Sequence, residues 1–389
     1  MVYDTYTNQK LTFVSKNRMN YIRIARRIIL GLIIILGICI VASSVGAVNI
    51  PLTDTIAITI NKIIGIRIKS NWPEVSESIL VNLRFPRIIL AGVVGAALSI
   101  SGAAYQGLFR NPLADPYLIG SASGAGLGAA IVFLTGLPLL AFGGGLLPIA
   151  AFIGSITAVT LAYIIGRRQG KVGITTLILA GVAVSSLAGA ITSLLMIKSD
   201  PNLRPLMSWL LGGFSGSRWN DVFVLLPYVF PPMIVLIFYS RALNILQLND
   251  LHAQTLGINV NRTKTIILLS ASLVTASAVA FSGVIGFVGL VSPHISRRLF
   301  GNSTINLIIS SSIIGGLITL FADQLARLLF APSELPVGLA TTILGAPTMM
   351  YLACLLYTSP SPRAATLSRM PSSACKKKGG GGGGGGGGG

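Results

Sequence analysis

Charge is what this sequence has least of. Ten of its 389 residues are Asp or Glu, and 10% are charged with either sign against 52% hydrophobic, at a mean hydropathy of +0.79. A soluble globular chain carries about a quarter charged residues, so this balance excludes one and indicates an integral membrane protein. Cysteine is scarce as well. Cys39 lies in the first apolar run, Cys354 in the last and Cys375 near the end of the chain, with neither metal-ligand spacing nor a disulfide framework. Ionisable side chains are nearly absent from the middle of the apolar runs: Asp323 and Arg327 lie toward one end of a run, and His294 and Arg297 toward the end of another. Secondary transporters and proton pumps usually hold such groups at mid-membrane, so ion coupling has little support. A Walker lysine loop, a zincin motif and a nucleophile with a matching base are also missing, which leaves no catalytic residue and sends the energy source elsewhere.

What is present in quantity is long apolar sequence. Runs such as "IILGLIIILGICIVASSVGAV" and "IILLSASLVTASAVAFSGVIGFVGLV" match helical spans of roughly 20 residues rather than the shorter, alternating strands of a barrel. Spans are expected near 26–48, 86–107, 117–136, 146–166, 172–196, 222–241, 262–283, a short one at 284–298, then 304–329 and 337–354. The net charge of +19 comes from short basic segments between spans, without the aromatic interleaving of a nucleic-acid surface. Positive-inside orientation explains those segments and puts the N-terminal segment 1–25 in the cytoplasm, followed by a retained first helix rather than a cleaved signal. Lys62, Arg67, Lys69, Arg84, Arg87, Lys198, Arg204, Arg218 and Arg327 then fall on the outside, against the trend.

Ala91, Gly95 and Ser99 recur at four-residue spacing, a stripe that lets helix backbones approach closely in lipid. "SASGAGLGAA" (121–130) lacks the preceding strand and the Lys-Ser/Thr of a phosphate loop, so helix packing is expected there too. "RNPLADP" (110–116) reads as a structural corner, with Pro112 and Pro116 stopping helices and Asn111 and Asp115 satisfying free backbone groups. In "SPHISRR", Pro293 is expected to begin a short helix whose His294, Arg297 and Arg298 either approach a cytoplasmic partner or anchor at the lipid face. One hydrophilic stretch, "RALNILQLNDLHAQTLGINVNRTK" (241–264), reads as two short helices joined by a tight turn on the cytoplasmic surface and closed by Gly257. It is either a solvated loop or a docking element for a soluble partner. After residue 354 the chain turns into "LLYTSPSPRAATLSRMPSSACKKK" and eleven glycines, without hydrophobic period or continuity with the preceding helix. Residues 355–389 read as a non-native tail, and setting them aside lowers the net charge from +19 to +14.

Four blocks in order, "LRFPRIILAGVVGAALSISGAAYQGLFRNPLADPYLIGSASGAGLGA" (83–129), "LNDLHAQTLGINV" (248–260), "GFVGLVSPHISRRLFG" (286–301) and "ADQLARLLFAPSELPVGLATTILGAP" (322–347), carry a resemblance. Together they resemble the FecCD permease family, the membrane subunits of ABC importers for iron-siderophores, haem and vitamin B12. The resemblance implies an all-α integral membrane protein of about ten transmembrane helices, one of them short, built like a vitamin B12 permease, as one polytopic domain over 26–354. It implies a multi-pass subunit of the cytoplasmic membrane that pairs with a second permease subunit as a homodimer or heterodimer. Two cytoplasmic ATPase subunits, which use ATP and magnesium, and an extracytoplasmic substrate-binding protein complete the implied assembly. No cofactor is implied for this chain itself.

Residue by residue, the resemblance implies that Asp250, Ala253, Leu256 and Gly257 belong to coupling helices near 244–258 that seat in the ATPase. Leu251 stands where the family commonly has an acid, and the last helix is expected to be incomplete as written. The arginines matching Arg84, Arg87 and Arg327 form basic pockets for acidic residues of the binding protein. Arginines near helix ends also serve as interfacial anchors, and Arg327 has Asp323 one turn away as an alternative partner. The expected function is passage of a metal chelate, with an iron-siderophore as the leading cargo and haem or cobalamin as kin. An ion-coupled secondary transporter working without an ATPase and a non-transporting scaffold are the alternatives.

Overall fold

The computed structural model describes residues 26–46, 48–65, 72–135, 145–168, 171–197, 203–301, 303–329 and 333–358. The N-terminal segment 1–25 and residues 359–389 of the tail lie outside the described residues. The chain is helical: α1 (Arg26–Ser44), α2 (Leu52–Ile64), α3 (Glu74–Ser78), α4 (Phe85–Phe109), α5 (Ser121–Thr135), α6 (Leu146–Gly166), α7 (Ile174–Ile197), α8 (Leu203–Leu210), α9 (Trp219–Phe238), α10 (Ser240–Leu246), α11 (Asp250–Thr255), α12 (Val260–Ser282), α13 (Val288–Phe300), α14 (Thr304–Leu328) and α15 (Val337–Thr358). Between α6 and α7 a two-residue antiparallel pair joins β1 (Arg167–Arg168) to β2 (Lys171–Val172). The chain divides into two units at Gly345; within the second, the described residues are the rest of α15, with Pro347 inside the helix.

Each of the ten expected spans coincides with a helix. Among the described residues seven helices are long and apolar enough to cross a membrane, while α5 is a shorter apolar helix of 15 residues and α13 has 13. Large apolar side chains such as Ile153, Leu179, Leu187, Phe223 and Phe238 stand exposed on α6, α7 and α9, which water would not tolerate over so wide a face and lipid does.

Helix α4 is the hub, packed against α14, α12, α13 and α9 and buried along almost its whole length. Its small-residue stripe makes that possible. A Cβ on Gly95 would stand 2.4 Å from the Gly315 carbonyl oxygen of α14, and a Cβ on Gly315 would stand 1.8 Å from Ser99 Oγ. The 121–130 segment packs in the same manner, with Gly124 against Gly154 of α6. Buried hydroxyls then join α4 to α12: Ser101 Oγ donates to the Ala271 carbonyl at 2.9 Å and meets Thr275 Oγ1 at 2.6 Å, while Tyr105 and Ser272 are 2.6 Å apart. In lipid such bonds each contribute about 0.6 kcal/mol, so their number rather than any single one stiffens the pair.

Two prolines lie in the helices that meet at α4. Pro86 lies in the first turn of α4, which continues a π-helical segment, Ile79–Arg84, within one continuous helix from Glu74 to Phe109. A proline inside a helix lacks its N–H and presses on the carbonyl four residues back, and the wide π turn absorbs both effects. Pro293 does not begin α13, which starts at Val288. Without its N–H the Gly289 carbonyl is left free, and this oxygen faces Gly102 so closely that a Cβ there would stand 1.8 Å away.

Candidate functional sites at the two ends of helix α4

Helix α4, about 37 Å long from its 25 residues, joins two clusters of charge. At its first end lie Arg84 and Arg87. Arg84 ends the π turn, is 6% exposed, and donates to the carbonyls of Ser43, Ser44 (3.0 Å) and Val48. Helix α1 ends with the Ser43 and Ser44 carbonyls unpaired within the helix, and Val48 lies just beyond it, so a guanidinium satisfies both their hydrogen bonding and the negative end of the helix dipole.

Arg87 turns toward α14. Its Nη2 donates to Asp323 Oδ1 at 2.8 Å and its Nε to the same oxygen at 3.0 Å, while Nη1 donates to both oxygens of Glu334 at 2.9 and 3.0 Å. Arg327 reaches Asp323 Oδ2 from one turn further along α14, with Nε at 3.2 Å, and donates through Nη2 to Gln324 and to the Ala42 carbonyl. The alternative pairing of Arg327 with Asp323 is therefore formed. Glu334, in the irregular stretch before α15, also accepts from Ser215 Oγ at 2.6 Å. Burial opposes its ionisation, but the Ser215 and Arg87 hydrogen bonds outweigh that and hold its carboxyl below the usual range. Arg84, Arg87, Arg327 and Glu334 border a cavity of about 350 Å³ that also touches Gly46, Leu83 and Ser217.

At the other end Arg110 caps α4 with φ 53°, a left-handed conformation that costs a non-glycine residue about 1–2 kcal/mol. Its Nε and Nη2 donate to the Leu246 carbonyl at the end of α10 (2.9 and 2.6 Å), and Nη2 also to Asp250 Oδ1 at the start of α11 (2.5 Å). Lys264 of α12, 5% exposed, donates to the other Asp250 oxygen at 2.6 Å. One carboxylate thus ties α4, α11 and α12 together. Burial works against its charge, yet the hydrogen bonds from Lys264 and Arg110 prevail and keep the carboxyl below the ordinary Asp range.

Ala253 is fully buried beneath α11. Gly257, at φ +79°, donates to the Gln254 carbonyl, and Ile258 donates to the Ala253 carbonyl, the pair of hydrogen bonds that ends a helix with a glycine. Leu256 is 63% exposed, beside Leu248 and Leu251 at 75% and 68%. Of the four residues assigned to coupling, then, Leu256 faces outward, Ala253 inward, Gly257 shapes the turn and Asp250 is an internal tie. In the corner between α4 and α5, Asn111 and Asp115 accept from the amides of Leu113 and Tyr117 at 2.9 and 2.7 Å, as the corner reading requires. Burial pushes the Asp115 carboxyl up to about 6 despite the Tyr117 amide.

Apart from Asp323 for Arg327, the partners of these arginines were not visible in the sequence. Glu334 and Ser215 lie 247 and 119 residues from their partners Arg87 and Glu334, and the Lys264–Asp250 pair crosses a turn whose geometry decides it. The one local hint was acid content: with ten Asp and Glu in the chain, each acid near an arginine block is a candidate partner.

A bundle of apolar helices with ion clusters at both ends of its central helix and exposed leucines in and around α11 is a multi-pass membrane protein. The chain belongs to the FecCD transport family, whose model matches residues 32–354. It is 44% identical over 281 residues to the cobalamin import system permease protein BtuC of Halobacterium salinarum, covering 72% of this chain and 74% of that protein. It is 42% identical over 278 residues to the hemin transport system permease protein HmuU of Yersinia pestis, covering 70% and 82%. An ABC transporter described as of metal-chelate type, solved in an inward-facing conformation, superposes with a TM-score of 0.73 at 28% identity over 85% of this chain and 99% of that one. The chain is accordingly an ABC importer permease, a transport subunit.

Proposed function

We propose that this permease carries a metal chelate across the cytoplasmic membrane, an iron-siderophore before haem or cobalamin, driven by two separate ATPase subunits. The observation that carries the reading is the α10–α11 element: three leucines exposed on its surface and its one acid bound back to α4 and α12. A greasy, rigidly anchored knob suits a cleft in a moving partner, and its anchorage passes that movement into the spans. The relatives named for cobalamin and hemin support cargo of the chelate class.

In this reading the N-terminus and the Arg110 end face the cytoplasm, and the Arg87 end receives an extracytoplasmic binding protein. Arg87 and Arg327 hold the charges for docking, while Arg84 fastens α1. A second permease subunit completes the pathway, and residues 355–389 are foreign to it. The test is reconstitution with the ATPase subunits and binding protein in liposomes, followed by uptake of a ferric siderophore, haem or cobalamin. ATP-dependent uptake of one of them supports the proposal; uptake driven by an ion gradient without ATP overturns it in favour of a secondary transporter.

A further inference from the structure

At the Arg87 end, one guanidinium is divided between two acids of unlike standing. Asp323 is 1% exposed, sits within α14 and has Arg327 as a second cation. Glu334 is 38% exposed, lies outside any helix, and binds Arg87 through Nη1 alone. Its neighbours Arg84, Arg87 and Arg327 outnumber the two acids, and all of them except Asp323 border the same cavity. If Glu334 left, three cations would share one carboxylate.

We propose that Glu334 is an internal stand-in for a carboxylate of a docking protein, whose Asp or Glu displaces it from Arg87 Nη1. The physical case rests on what a bare arginine costs. Arg87 is 11% exposed with Asp323 on its Nε and Nη2, and the remaining Nη1 edge of a guanidinium that far from solvent needs its own partner at all times. Glu334 supplies one while the face is free, and Ser215 keeps the carboxylate aimed at 2.6 Å from its own Oγ. Docking then exchanges one ion pair for a chemically equal one. The exchange fixes the partner's orientation but adds little affinity, which suits a partner that must leave after each delivery. Naming that partner as a substrate-binding protein rests on the proposed function; the exchange on Arg87 does not.

The sign of the effect separates this role from the ordinary ones. An acid that merely competes for Arg87 weakens the binding of other acids, so its removal strengthens them. A scaffold residue would change stability and leave affinity alone.

The experiment uses the full chain in detergent and, as probe, a fluorescent peptide with two Glu flanked by Gly, titrated at physiological salt. Glu334→Gln keeps the shape and the ability to accept from Ser215, and is expected to bind the peptide about tenfold more tightly than the native chain. Arg87→Gln combined with Glu334→Gln is expected to return to native or weaker binding. Glu77→Gln, which removes an acid paired with Lys62 away from the cavity, controls for net charge and is expected to change binding by less than about twofold. Should Glu334→Gln fail to fold, Ser215→Ala frees the same carboxylate and is expected to shift affinity in the same direction by a smaller factor. Unchanged or weaker binding in Glu334→Gln, or tight binding that survives loss of Arg87, overturns the proposal. The peptide reads the exchange directly, so a wrong importer reading shows in the uptake assay and not here.

Discussion

Arg87 of α4 and Asp323 of α14, 236 residues apart in the chain, meet at 2.8 Å, and the same Asp323 carboxylate reaches Arg327 at 3.2 Å. One buried acid therefore balances two guanidiniums, and the three positions are not equivalent. Asp323→Asn strands Arg327 and leaves Arg87 with Glu334 alone, in a place where their hydration is largely lost, at an expected cost of about 3–5 kcal/mol. Arg87→Gln leaves Asp323 with Arg327 and Glu334 with Ser215, so its cost is expected to be about 1–3 kcal/mol. Thermal unfolding of the two variants in one detergent compares them, and an equal or inverted order of melting temperatures sinks the shared-acid account.

Glycines on the helix surfaces have unequal roles. At Gly95 a Cβ meets the Gly315 carbonyl oxygen at 2.4 Å and Thr319 Oγ1 at 2.3 Å, so Gly95→Ala must push α4 and α14 apart, at an expected cost of about 1–3 kcal/mol or more. Gly189 of α7 has open space around it, and Gly189→Ala is expected to be neutral or mildly stabilising through helix propensity, by up to about 1 kcal/mol. Melting temperatures of the pair decide; similar losses in both would show that the stripe does not set the α4–α14 approach.

The sequence revealed what depends on local chemistry. Apolar length located a helix at each of the ten expected stretches, seven of them long enough among the described residues to cross a membrane, the Ala91–Gly95–Ser99 spacing identified the close-packed face of α4, and Gly257 marked the end of α11. It did not reveal α2 or α8, whose polar residues and short length read as connection. Nor did it show which way a charge turns: Arg84 and Arg87 are three residues apart, yet the π turn before Pro86 sends one to the end of α1 and the other to α14. That choice rests on pairings from distant parts of the chain, which spacing cannot encode.

Asp115 gives a pH dependence. Its carboxyl titrates at about 6 in the folded chain because burial disfavours the charge, against about 3.9 when unfolded. The folded state thus holds the extra proton between those values, so this group's contribution to stability falls as pH rises from about 4 through 6 and then stays low. Asp115→Asn can still accept from the Tyr117 amide and carries no charge. It is expected to match the native chain near pH 4 and to exceed it at pH 8 by up to about 3 kcal/mol, read as melting temperature across that range. A constant difference at all pH values would remove Asp115 as the cause.

Arg110 and the exposed leucines make opposite predictions about the α10–α11 element. Leu251 and Leu256 touch little of their own chain, so Leu251→Glu with Leu256→Glu is expected to leave folding unchanged while weakening ATPase association by about tenfold or more, as loss of buried apolar anchors does. Arg110 touches no such surface: it spends its donors on Leu246 and Asp250, and accepts a left-handed backbone to do so. Arg110→Gln is expected to leave ATPase association within about twofold while loosening α11 from α4, because Asp250 then keeps only Lys264. Spin labels at Leu251 and at exposed Leu113 report that link as a distance distribution, narrow in the native chain and broadened in Arg110→Gln. In the full complex, ATP hydrolysis should then continue while uptake falls, since the ATPases would move a knob no longer fixed to the central rod. Hydrolysis and uptake that decline together, with the distance distribution still narrow, would place Arg110 in ATPase docking instead.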